Sequence, residues 1–210
     1  MDRVSDIRQQ LIEAKKGVGP EDMIELLGVS FIADEESIFG EPNQDYIKRE
    51  IAWYELQHPS IHFMEPPVPK IWRQVSDERG NVNSHYGHLV YSEENGSQFD
   101  NVYEELKRNP SSRRAVMIYT RPSMHVDATA RGGDDFICTN VVQYLIRDGA
   151  LHAVVQMRSN DAIFGYRNDW PWQRHVQNKL AFYLDEKVGT LMWQVGSLHV
   201  YPRHHHLVTS

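Results

Sequence analysis

Several side chains in the 210-residue sequence are of types that can do chemistry. Cys138 is the one cysteine, and an ionised thiol is a strong nucleophile. Its neighbours Ile137, Thr139 and Asn140 are strand-like, so on local sequence alone it reads as a small buried hydrophobe. Glu50 shares a helical stripe with Ile47, Ile51 and Tyr54. A carboxylate facing a core must be paired, hydrated or held with a raised pKa, whereas a slip in helix register would bring it to the surface. Arg113-Arg114 could grip a phosphate bidentately or make ordinary surface ion pairs. Met157-Arg158-Ser159-Asn160-Asp161 closes an apolar run with a polar cluster, which suits an anion-facing rim or a solvated turn. His199, His204, His205 and His206 have no cysteine or carboxylate partner at ligand spacing, so no metal site is expected.

The elements that must position these residues can be read from periodicity. Residues 43–56 predict a helix capped by Asn43. Ser97 with Asp100, followed by Phe99, Val102, Tyr103 and Leu106, predicts a second helix that Asn109-Pro110 ends. Ala115 to Tyr119 suits a short strand. Ile137 to Ile146 and Leu151 to Met157, joined by Arg147-Asp148-Gly149, predict a hairpin. A third helix is expected from about Asp169, with Pro171 in its first turn and Trp172, Val176, Leu180 and Tyr183 or Leu184 inward. Leu191 to Tyr201 reads as one or two buried strands. The class is α+β, with strands dominating the second half.

Composition narrows the function classes. A formal net charge of −7 argues against a non-specific nucleic-acid or anionic-membrane binder, since both need a basic surface. The 10 Tyr, 7 Phe and 5 Trp are too many for a disordered chain. One cysteine makes no intrachain disulfide, which permits a reducing compartment. The opening MDRVSDIRQQ lacks a signal-peptide core, and no stretch is apolar enough to span a membrane. A cytoplasmic protein is expected. Pro66, Pro67 and Pro69 read as a surface connection within one domain.

From about Ser30 to Val208, motifs stand in one order. Ser37-Ile38-Phe39-Gly40 is followed by Arg49-Glu50-Ile51-Ala52-Trp53-Tyr54, Ile71-Trp72, Tyr86-Gly87 and Asn109-Pro110-Ser111-Ser112-Arg113-Arg114. Then come Cys138 with Gln143, Arg158-Ser159-Asn160-Asp161, Gly165, Asn168-Asp169 and His199-Val200-Tyr201. In these the chain resembles the thymidylate synthase superfamily, above all its pyrimidine hydroxymethylase branch in T-even phages. The resemblance implies a large mixed β-sheet flanked by helices, packing at a homodimer interface. A single domain over 1–210 is expected, with a C-terminal closing segment shorter than the family's.

Roles follow from the resemblance. Cys138 would add to C6 of a pyrimidine mononucleotide, with its thiolate favoured by the positive charge of the phosphate clamp. Glu50 would manage protons through ordered water. Arg158 and Ser159 would hold the 5′-phosphate from one subunit, and Arg113 and Arg114 from the other. His199 and Tyr201 would bind the sugar hydroxyl, Gln143 and Asn160 would line the nucleotide pocket, and Asp161, Ile71 and Trp72 would hold 5,10-methylenetetrahydrofolate. Asp169 stands where thymidylate synthases carry an asparagine; a carboxylate accepts from a cytosine amino group and can share a proton with N3. Hydroxymethylation of dCMP is therefore expected, with a CMP hydroxymethylase, a methylating synthase or an idle nucleotide-binding protein as alternatives. The sequence departs from the family in lacking an arginine in the loop before Ser37. It also carries Thr139 in place of a histidine and Val75 in place of a second tryptophan.

Overall fold

A computed structural model describes residues 1–209. The centre of the fold is a hairpin. Strand β4 (Thr139–Arg147) turns through Asp148 and Gly149, with φ of 53° and 71°, into antiparallel β5 (Ala150–Asp161). Two successive positive φ values match the right-handed twist of the flanking strands, and Asp-Gly tolerates them. Helix α7 (Gly165–Leu184) then crosses over to β6 (Lys187–Val200), which pairs parallel with β5. Strand β2 (Ile24–Ile32) adds antiparallel to β6, β1 (Asp2–Arg3) adds parallel to β2, and β3 (Val116–Ile118) adds antiparallel to β4. The mixed sheet thus runs β1-β2-β6-β5-β4-β3.

Alternation along the strands gives the sheet two unlike faces. Leu151, Ala153, Val155 and Met157 of β5, with Leu191, Trp193 and Val195 of β6, are buried on the face that carries Trp172, Val176 and Leu180 of α7. On the other face Gln156 and Gln194 are exposed and Val154 and Met192 half-buried. The remaining helices are α1 (Val4–Lys15), α2 (Gln44–Glu55), α3 (Lys70–Val75), α4 (Tyr86–Tyr91), α5 (Gln98–Arg108) and α6 (Met124–Asp127). Helix α4 approaches α2 so closely that a Cβ on Gly87 would lie 1.8 Å from the Tyr54 carbonyl oxygen; only glycine fits there.

The structure corrects several expectations. Strand β5 runs past Met157 to Asp161, so the polar cluster Arg158–Asp161 is strand and not turn. Pairing with the long β6 extends it, because β6 is one continuous strand. Helix α7 begins at Gly165 and not near Asp169, which places Pro171 in its second turn. Asp161 starts it early, its carboxylate accepting from the Ile163 and Phe164 N–H groups at 3.0 and 3.3 Å. Ser97 does precede α5, but in a left-handed conformation (φ 46°, ψ 53°), and its side chain makes no cap. Helix α1 and strands β1 and β2 were not anticipated; Val4, Ile7 and Leu11 form the buried stripe of α1 among polar neighbours.

Candidate active site

Catalytic-type side chains from distant parts of the sequence meet where β4 begins and β5 ends. Arg158 N–H donates to the Cys138 carbonyl at 2.9 Å, which ties the strands together there, and Asp161 stands opposite His199 of β6. The Arg158 guanidinium donates to the carbonyls of Ile137 (3.0 Å) and Phe136 (2.7 Å). Its Nη2 stands 3.6 Å from Cys138 Sγ. One arginine thereby braces the segment that carries the thiol and faces the sulfur. Yet burial first, and then the charges of Asp169 and Asp135, outweigh Arg158 and push the Cys138 thiol up to about 11. Within the single chain Arg158 is the arginine that comes near the sulfur, and burial outweighs it.

Asp169 sits in the second turn of α7, held by a relay of fixed polarity. Asn160 Nδ2 donates to Asp169 Oδ2 at 2.8 Å, and Trp193 Nε1 donates to Asn160 Oδ1 at 3.2 Å. An indole N–H only donates, so Asn160 must turn its amino group toward Asp169. Both polar atoms of Asn160 are engaged in holding Asp169. Burial pushes the Asp169 carboxyl up to about 7, against the hydrogen bonds from Asn160 and Tyr86. Tyr86 of α4 also accepts from Thr139 Oγ1 at 3.0 Å, so the residue after the nucleophile is braced by the same phenol.

Glu50 faces inward from the middle of α2, as its stripe predicts, and is 4% exposed. Asn43 starts that helix by accepting from the Tyr46 N–H at 3.0 Å. Tyr46, one turn before Glu50, donates its hydroxyl to Glu50 Oε1, and Trp72 Nε1 donates to the same oxygen at 3.2 Å. Trp72 Nε1 also lies 3.0 Å from the Tyr46 hydroxyl. Burial pushes Glu50 up to about 8, with the Asp169 charge adding to it and the two hydrogen bonds opposing it.

The other expected residues divide into two groups. His199 packs edge-on against Tyr201, ring centroids 4.9 Å apart, at the end of β6 beside Asp161. Ser159 lies opposite Ser197, and Ile71 is exposed next to Trp72. Arg113, Arg114 and Gln143 are elsewhere. Gln143 Nε2 donates to the Arg113 carbonyl at 2.9 Å, and both arginines line an open groove of about 890 Å³ with Arg108, Ser111, Ser112 and Arg147. Gln143 is paired with Val116, and at roughly 3.3 Å per residue the five residues of strand back to Cys138 span about 17 Å. An arginine side chain does not bridge that gap, so Arg113 and Arg114 stay apart from Cys138 within one chain. The sequence does not single out Tyr46 or Trp193, and it shows Tyr86 only within the motif Tyr86-Gly87, with no role attached. The spacing of Tyr46 four residues before Glu50 is the signal that could have found the first of them. Among the described residues no cluster of three metal-ligating side chains occurs, and no helix is long and apolar enough to cross a membrane.

Comparison with known proteins gives the family and the fold. The family model described as thymidylate synthase covers residues 43–210. Deoxycytidylate 5-hydroxymethyltransferase of Enterobacteria phage T4 is 50% identical over 192 residues, covering 88% of this chain and 78% of that protein. Thymidylate synthase of Bacillus atrophaeus is 28% identical over 163 residues, covering 74% of this chain and 70% of its own length. The structure of thermostable thymidylate synthase A from Bacillus subtilis superposes with a TM-score of 0.75 at 21% identity, covering 96% of this chain and 81% of that one. The fold is shared, as the resemblance implied, and with the family match over four-fifths of its length the chain belongs to the thymidylate synthase family.

Proposed function

We propose that the protein transfers a one-carbon unit from 5,10-methylenetetrahydrofolate to C5 of dCMP and hydrates it, giving 5-hydroxymethyl-dCMP and tetrahydrofolate. The observation that carries this reading is the relay beside Cys138 in which buried Trp193 and Asn160 hold the half-buried Asp169, in a chain half identical to a deoxycytidylate hydroxymethyltransferase. An ionised carboxylate only accepts, and a protonated one presents a single donor; with its pKa about 7, Asp169 can take either form. Protonated, it donates to the cytosine N3 and accepts from the 4-amino group; ionised, it still accepts from that amino group but sets oxygen against oxygen at the uracil O4.

Cys138 Sγ adds to C6 of the base while Asp169 supplies a proton toward N3. Arg158 and Ser159 bind the 5′-phosphate, and His199 and Tyr201 bind the sugar hydroxyl. The folate co-substrate supplies the one-carbon unit at the methylene level. The exposed Ile71 and neighbouring Trp72 offer its ring an apolar surface beside Glu50. Asp161 keeps lone pairs free for it, because each carboxylate oxygen carries one backbone hydrogen bond. Once the C5 proton has left, Glu50 takes a proton from the water that adds to the exocyclic methylene on C5.

Arg113 and Arg114 complete the phosphate site across a homodimer. Their separation from Cys138 and the partly apolar outer face of the sheet both support a second subunit packed there. Such a dimer brings positive charge toward Cys138 that the single chain lacks. A cytoplasmic setting accords with a free thiol and folate chemistry. The test is product analysis after incubation with methylenetetrahydrofolate and dCMP, CMP or dUMP. 5-Hydroxymethyl-dCMP with tetrahydrofolate is expected, and Cys138→Ala abolishes it. A methyl product with dihydrofolate, preference for CMP, or no product overturns the reading.

A further inference from the structure

Tyr46 has no role in the chemistry above, yet it makes the closest contact to Glu50 in the site. Two donors from different elements, Tyr46 Oη of α2 and Trp72 Nε1 of α3, converge on Glu50 Oε1. Oε2 has no protein donor among the described residues. Trp72 Nε1 also reaches the Tyr46 hydroxyl, so phenol, indole and carboxylate form a closed triangle. An indole only donates, so Trp72 occupies a lone pair of the phenol oxygen and turns the phenol proton toward the carboxylate. A carboxylate pinned through one oxygen has its other oxygen aimed in a fixed direction, and an aimed acceptor is what a single attacking water requires.

From this triangle we infer that Tyr46 is a positioning residue for the hydration step, acting through Glu50. The inference rests on the reading of the protein as a hydroxymethylase. Water bound at Glu50 Oε2 gives up one proton to that oxygen as its own oxygen bonds to the exocyclic methylene carbon. The methylene electron pair moves onto C5 and toward N3. It returns as the C5–C6 double bond when the C6–sulfur bond breaks and Cys138 leaves as thiolate. The proton count closes when Glu50 returns its proton to the thiolate through water.

Tyr46 also favours the form of Glu50 that can accept. Its hydrogen bond and that of Trp72 stabilise the carboxylate, while burial and the Asp169 charge from α7 oppose ionisation. Tyr54, on the same helix, is buried with its own pKa raised well above the usual range, so it stays neutral. Removing the Tyr46 hydroxyl thus raises the pKa of Glu50 and leaves less carboxylate at neutral pH. One hydrogen bond to a charged group corresponds to about one pH unit.

Tyr46→Phe keeps the ring and removes the donor. Carboxyl-13C glutamate labelling of unliganded protein, with Glu50→Gln to assign the signal, is expected to show Glu50 titrating about one pH unit higher in Tyr46→Phe. Turnover of dCMP is expected to fall by about tenfold or more in kcat, with dCMP binding unchanged within about twofold. The pH at which kcat rises should move upward with the carboxyl signal. An unmoved Glu50 titration overturns the inference. So does a loss of kcat matched by an equal loss of dCMP affinity and a lower Tm, which marks a purely structural role. Absence of hydroxymethyl product from the unsubstituted protein overturns the functional reading instead, while the titration still decides the coupling of Tyr46 to Glu50.

Discussion

Asp169→Asn should reverse the base preference, and the structure says in which direction the new amide will point. Trp193 can only donate, so Asn160 is oriented with Oδ1 toward the indole and Nδ2 toward residue 169. An asparagine at 169 must meet that Nδ2 with its own Oδ1, which leaves its amino group facing the base. That amino group donates to the uracil O4, whereas it sets donor against donor at the cytosine 4-amino group. Each mismatch between buried polar groups costs about 1–3 kcal/mol. Because one nucleotide loses a match and the other gains one, the preference moves by about 2–6 kcal/mol, or roughly 30-fold to 20,000-fold in the ratio of kcat/KM values. The substitution conserves shape and replaces a half-buried ionisable group with a neutral one, so folding should survive, which Tm can verify. The assay is competition between dCMP and dUMP at fixed methylenetetrahydrofolate, with both nucleotides followed by chromatography. A ratio within threefold of the unsubstituted protein would show that residue 169 does not read the base. A shift toward dCMP would show that the relay does not orient the amide.

Other consequences are as direct. In mixed dimers, a subunit carrying Arg113→Ala and Arg114→Ala should complement one carrying Cys138→Ala, recovering about a quarter of full activity at equal mixing, since half the dimers are mixed and each holds one intact site; no recovery would argue against shared arginines. His85 is buried with its pKa lowered to about 3, chiefly by burial, donating Nε2–H to the Trp53 carbonyl at 3.1 Å and accepting from the His88 N–H at 2.9 Å. Below pH 6.5 the unfolded chain binds a proton that the folded one refuses, so stability is lost as pH falls from 6.5 toward 3, by about 5 kcal/mol at most. Urea titrations at pH 7 and 5 should show the loss, and His85→Asn, which keeps the cap acceptor, should diminish it. Gly87→Ala drives a methyl group into the Tyr54 carbonyl and should cost about 3 kcal/mol or more in urea denaturation; a Tm near that of the unsubstituted protein would contradict the close approach of α4 to α2.

Much of this site was legible because its residues announce themselves by pattern. Asn43 and the stripe Ile47, Glu50, Tyr54 located α2 and turned its carboxylate inward, and Asp148-Gly149 located the hairpin that presents Cys138 and Arg158. What escaped depended on partners distant in sequence. The state of Cys138 depends on Asp135, Arg158 and Asp169, and no local window weighs burial against those charges. The link from Asn160 to Asp169 is not visible until Trp193, 33 positions on, is seen to fix the orientation of its amide. Asp161 looks like a ligand side chain, yet it also caps the turn that starts α7, which is why that helix was placed too late. The N-terminal elements escaped because β1 and β2 gain their partners only from one another and from β6.

The crossover from β5 through α7 to β6 has a bearing on how such a protein can change. Arg158, Ser159, Asn160, Asp161, Asp169, Trp193, His199 and Tyr201 all belong to one uninterrupted stretch of about forty residues, while Cys138 and Glu50 lie outside it. On the proposed reading, most of the contacts to phosphate, sugar and base thus lie in one block, with Arg113, Arg114 and Gln143 outside it, and that block is separate from the nucleophile and the water-handling carboxylate. A lineage could exchange one pyrimidine for another by drift or recombination within that block, and Cys138 and Glu50 would pass through the change untouched.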